Sequence, residues 1–97
     1  MKLIWTPEAL EDVERLVDFL LPVAPAAAAR VRERLTTAPQ RLIDFPRIAA
    51  PLRKFAPAEI RRLIVGDYEV RYQLVEDVIR VLSVYHTRED RPFSPLD

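Results

Sequence analysis

The sequence predicts a single α+β domain with the order β-α-α-β-β-β, in which a small, antiparallel-rich sheet packs against an N-terminal helical hairpin. Three observations predict it. Apolar residues recur at helical spacing through the first half, with Leu10, Val13, Leu16, Val17 and Leu20 on one stripe and Ala28, Val31, Leu35, Ala38 and Leu42 on another. The period falls to two after Ile60. Between these halves, residues 46–58 carry three prolines and no periodicity, as a connection does. The chain has 97 residues, 49% of them hydrophobic. That is enough for one cored domain spanning residues 1–97, and too short for two.

Each element has its own signals. The apolar run from Lys2 to Trp5 reads as a first strand. Thr6 offers a hydroxyl N-cap, and Pro7 suits the first helical position, where an N–H is not needed. Glu8, Glu11 and Asp12 complement the helix dipole, and the helix runs to about residue 21. Pro22 and Pro25 punctuate, and the alanine run from Ala26 starts a second helix. Pro39 removes a backbone donor and clashes one turn back, so a break is expected near Thr36–Ala38. A short helix then resumes to about Asp44, and the connection packs through Ile48, Leu52 and Phe55. Gly66-Asp67 joins two alternating runs as a hairpin, with glycine at the first position of a type II′ turn. Tyr68, Val70, Tyr72 and Leu74 share one face of the second of these strands, and Glu69, Arg71 and Gln73 the other. The last run, Val78 to His86, is apolar on both faces, which suits an interior strand.

Composition narrows the function. There is no cysteine, so disulfide frameworks and cysteine-based zinc sites are excluded. Nothing in the sequence calls for a cofactor or a metal. No signal peptide or run of about 18 apolar residues is visible, so a cytoplasmic, non-membrane protein is expected. Net charge is zero but unevenly spread. Residues 26–62 hold eight arginines and Lys54 against three acids, while both flanking stretches are acidic. A basic middle of this kind can meet an anionic partner. A nucleic-acid binder, in contrast, is usually basic overall.

The end of the last strand stands apart. Its only histidine, His86, is followed by Arg88, Glu89, Asp90 and Arg91 with no glycine. A solvated strand end and a site are both compatible with this pattern.

The first strand, the helical hairpin with "RLIDFP", and "RRLIVGDYEVRYQLVEDVIRVLSVYHTRED" together resemble the RelE/ParE superfamily of toxins from type II toxin–antitoxin pairs, over nearly the whole chain. The most specific matches are Arg62 or Arg61 opening the second strand, the "YEVRYQL" strand and the His86-x-Arg88 ending. The resemblance implies a curved sheet with a helical hairpin on one side, and neutralisation by a cognate antitoxin. It implies one of two targets. RelE-like members cut mRNA on the ribosome without a metal, and ParE-like members bind DNA gyrase and block it. For cleavage the carried-over residues would be His86, Arg88 and Arg62: an imidazole to exchange protons and two guanidiniums to clamp phosphate. If the last strand stays extended, His86 and Arg88 share a face and Tyr85 points away. For protein binding, Arg53, Lys54, Arg61 and Arg71 are the expected contacts. Polyanion affinity rises with the number of phosphates neutralised, so zero net charge favours the ParE-like branch. A non-toxic adaptor or dimerising relative is a further alternative. A homodimer or a toxin–antitoxin heterotetramer is compatible with the chain.

Overall fold

The structure is a computed structural model, and it describes residues 1–89. Asp90 and Arg91 of the polar run lie outside the described residues. Five strands and two α-helices follow in the order β1 (Lys2–Trp5), α1 (Pro7–Leu20), α2 (Pro25–Thr37), β2 (Ala50–Pro51), β3 (Glu59–Val65), β4 (Tyr68–Val75) and β5 (Val78–His86). They form one sheet of order β1-β5-β4-β3-β2. β1 runs parallel to β5, and the other pairs are antiparallel. The predicted architecture therefore stands, with one addition: the connection contributes the two-residue strand β2 at the sheet edge.

The break at Pro39 also appears. α2 stops at Thr37, and Ala38–Ile43 continues as a 3₁₀ turn with Pro39 and Leu42 buried. The helical segment expected to resume there is thus tighter than an α-helix and one residue shorter. Proline cannot donate the bond that a continuous helix requires, and the tighter winding accommodates it.

α1 and α2 cover one face of the sheet. Ala9, Val13, Leu16 and Val17 meet Ala28 and Leu35 from α2 and Val70, Val81 and Val84 from the sheet. Toward the other end, Leu42 and Ala49 pack on Tyr72, Leu74 and Ile79. A β-bulge makes this packing possible. Arg71 pairs with Ser83 but Tyr72 pairs with Val81, which leaves Leu82 as the extra residue. Val81 and Val84, three apart, consequently both face the helices. α1 is fastened to this bulge at two points. The Thr6 hydroxyl, besides accepting from the Ala9 N–H, donates to the Val81 carbonyl at 2.8 Å. The buried Asp12 carboxylate accepts the Val84 N–H at 2.9 Å.

The β3–β4 turn has the expected geometry. Gly66 has φ +60° and Asp67 does not share it, as the first position of a type II′ turn requires. The β4–β5 turn places Glu76 at φ 55°, a conformation that costs a side chain with a Cβ.

Candidate functional site

Strand register places the candidate residues on two faces. Arg62 stands directly opposite Arg71, and both project from the face away from the helices. His86 stands opposite Tyr68, on the helix-covered face. The sheet therefore separates Arg62 from His86.

On the uncovered face a single carboxylate organises the cations. Glu69 is buried and accepts from Arg62 Nη1 at 3.3 Å, Arg71 Nε at 2.5 Å and the Tyr85 hydroxyl at 3.0 Å. Burial opposes its ionisation, but the bonds from Arg71 and Tyr85 outweigh this and hold its carboxyl below the ordinary glutamate value. The Arg71 guanidinium also lies over the Tyr85 ring, 5.1 Å from its centre. Burial, and then the bond to Glu69, push the Tyr85 phenol up to about 12. Next to this cluster, opposite Arg71, the Ser83 hydroxyl is buried with no hydrogen-bond partner among the described residues. Glu69 thus anchors both guanidiniums from within the fold, and its single negative charge balances one of the two positive charges.

At the end of β5 the chain does not stay extended. It turns at Thr87–Arg88, with the Thr87 N–H donating to Asp67 and the Glu89 N–H to the His86 carbonyl, both at 2.9 Å. The Arg88 N–H donates to His86 Nδ1 at 3.1 Å. The condition for a shared extended face is therefore not met, and the two side chains are related by a turn. His86 meets the Tyr68 ring edge-on at 5.3 Å. Both line a groove of about 810 Å³ with Arg15, Phe19, Asp67 and Arg88. Arg15 crosses to Glu89 at 2.7 Å and lies 3.7 Å from Asp12.

Arg61 projects toward the helix side and is largely buried. It bonds Glu59 at 3.0 Å and the Ala49 carbonyl at 2.7 Å, which ties down the connection before β2. Arg53 and Lys54 lie in an exposed 3₁₀ turn, with Lys54 Nζ 5.2 Å from the Phe55 ring centre. Among the described residues no three of His, Asp and Glu converge as a metal site would need. The arrangement brings His86, Arg15 and Arg88 to one groove and leaves Arg62 on the opposite face of the sheet. On the uncovered face it offers cations anchored by Glu69, and elsewhere exposed apolar side chains: Phe19, Val23, Phe45, Ile48 and Ile64.

Sequence reasoning passed over Glu69, Tyr85 and Asp12. Asp12 carried a signal, since it falls inside the apolar stripe, between Ala9 and Leu16. Glu69 and Arg71 share a face by alternation alone. Tyr85 needed the position of the bulge.

Comparison with known proteins agrees with the fold. Residues 3–91 match the family model described as the ParE toxin of the type II toxin–antitoxin system parDE. The chain is 29% identical over 86 residues to Toxin RelE2 of Caulobacter vibrioides, covering 88% of this chain and 93% of that one. It is 31% identical over 90 residues to Y4kP of Sinorhizobium fredii, covering 91% of this chain and 90% of that one. A solved structure of a chromosomal ParDE system from P. aeruginosa superposes with a TM-score of 0.75 at 18% identity, over 89% of this chain and 95% of that chain. With a family model matched across nearly its whole length, the chain belongs to the ParE toxin family of type II toxin–antitoxin systems.

Proposed function

We propose that this toxin arrests growth in the cytoplasm by binding DNA gyrase, and that it is not a nuclease. One observation carries the reading: of the three residues that cleavage would use, His86 and Arg88 line one groove but Arg62 does not join them. Arg62 lies across the sheet from His86 and is held by Glu69. A nuclease needs its base and its phosphate clamp within hydrogen-bond reach of one scissile group. A docking protein needs exposed apolar and charged surface around a rigid frame, and that is what the edges of this fold provide. Zero net charge adds support, because gripping ribosomal RNA calls for many unneutralised cations. A cognate antitoxin is the partner that keeps such a toxin silent.

The test is supercoiling by purified gyrase with the toxin added in increasing molar ratio. Inhibition near stoichiometry is expected, and His86→Ala and Arg62→Ala should inhibit as well as the parent chain. Unaffected supercoiling at large excess would sink the proposal. The name of the Caulobacter relative favours a second reading, ribosome-dependent mRNA cleavage. That reading predicts new transcript ends that vanish in His86→Ala or Arg88→Ala.

A further inference from the structure

The end of α1 leaves large apolar side chains in water. Phe19 is 81% exposed and Val23 80%. α1 stops at Leu20, but the Val23 and Ala24 N–H groups both donate back to the Leu20 carbonyl. The turn therefore stays wound, and Val23 stands about one helical turn from Phe19. Burying an aromatic side chain removes about 150–250 Å² from water, so the chain gains by covering this tip. Beside it lies the groove of about 810 Å³ at the end of β5, with Leu16, Tyr68 and His86 in its walls and Phe19 in its lining. An apolar knob and a hole wide enough for a ring thus share one surface. Such a patch can be self-complementary: about a two-fold axis, each copy offers its knob to the hole of the other.

Charge selects the occupant. Arg15 and Glu89 close on each other at 2.7 Å. Asp18, Asp67 and Arg88 also line the groove, and none of the three has a salt bridge among the described residues. The surround therefore carries both signs, and a two-fold arrangement can set Arg88 of one protomer against Asp18 or Asp67 of its partner. Two other surfaces lack this property. The groove beside Ile48 and Ile64 is lined by Arg34 and Arg41 and by no carboxylate. The face away from the helices sets Arg62 and Arg71 against the single charge of Glu69. Placing two copies together on either would bring like charges into contact.

We propose that a second copy of this chain docks here, as a two-fold dimer in which Phe19 of each protomer enters the groove between α1 and the end of β5 of the other, with Arg88 opposite Asp18 or Asp67. The buried aromatic supplies the affinity, and the charge pairs around it fix the orientation. The inference holds whichever target the toxin attacks, because it rests on the shape and charge of one surface alone.

The experiment is sedimentation velocity on the full chain alone, across the micromolar range. The parent chain should show a reversible monomer–dimer equilibrium. Phe19→Lys, an exposed change that puts a cation at a helix C-terminus, should dissociate at least tenfold more readily with its circular dichroism unchanged. A charge swap tests the register. Arg88→Asp alone, and the double variant Asp18→Arg/Asp67→Arg alone, should each self-associate at least tenfold more weakly than the parent, and an equimolar mixture of the two should recover the parent's affinity. Should Phe19→Lys fail to fold, the charge swap decides. A parent chain that stays monomeric at every concentration would overturn the dimer. A Phe19→Lys chain that dimerises with parental affinity, or a mixture no tighter than its separate components, would overturn this surface as its interface.

Discussion

Arg62 and Arg71, on the face away from the helices, are both bonded by Glu69, whereas Arg34 and Arg41, beside the open edge of β3, face a groove without a carboxylate. All four belong to the chain's arginine-rich stretch or the strand that follows it, and sequence composition does not tell them apart. The difference lies in whether the fold supplies its own counter-ion. A guanidinium anchored to a buried carboxylate holds a sheet face together. One without an internal counter-ion is available to a partner. Function should therefore follow the edges and stability the Glu69 face.

The comparison breaks most directly at Glu69. Glu69→Ala leaves the largely buried Arg71 without its carboxylate and should cost about 3 kcal/mol in urea unfolding. A loss below about 1 kcal/mol would mean that the cluster is not structural. Acid titration sharpens the same point. The folded carboxyl sits below its unfolded value. Its contribution is therefore complete above about pH 4.3 and is lost as pH falls through the folded value. Glu69→Gln should lack that part of the acid-unfolding slope.

A smaller effect is expected at the alkaline end. Burial pushes the Tyr72 phenol up to about 12, and Tyr85 is raised similarly. A raised folded value means stability present below the unfolded value of about 10 and lost as pH rises toward 12. Comparing urea midpoints at pH 9 and pH 11 should show this fall, reduced in Tyr72→Phe. At neutral pH, Tyr72→Phe also loses the bond to Pro46, about 1 kcal/mol. The opposite sign is expected at Glu76. Glycine accepts φ 55° without strain, so Glu76→Gly should raise stability by about 1 kcal/mol in thermal unfolding. Smallest of all is His86→Ala, expected to change stability by less than about 0.5 kcal/mol, because the imidazole is only half-buried and bonds an exposed turn.

Much of this was legible in the sequence. Thr6-Pro7 marks the start of α1, Pro39 the end of α2, and Gly66-Asp67 the turn between β3 and β4. Each is local stereochemistry that tertiary packing did not override. β2 was not legible, because Ala50–Pro51 has neither length nor alternation and forms only where β3 passes. The bulge at Leu82 was hidden because the last strand is apolar on both sides, so either parity looks acceptable. The pairing of Arg62 with Arg71 was recoverable, since a two-residue turn fixes the register of the strands it joins. The turn that separates His86 from Arg88 depends on Asp67 reaching the Thr87 N–H from another loop, and no local signal announces it.

The central claim is that the toxin acts by docking and not by cleavage. Inducing the chain alone in bacteria, then mapping the 5′ ends of a well-translated transcript within minutes of growth arrest, tests it most directly. The account predicts arrest without new ends inside the coding region, in the parent chain and in His86→Ala alike. Fresh cuts in the parent chain that disappear in His86→Ala would contradict it, and would make the end of β5 an active site.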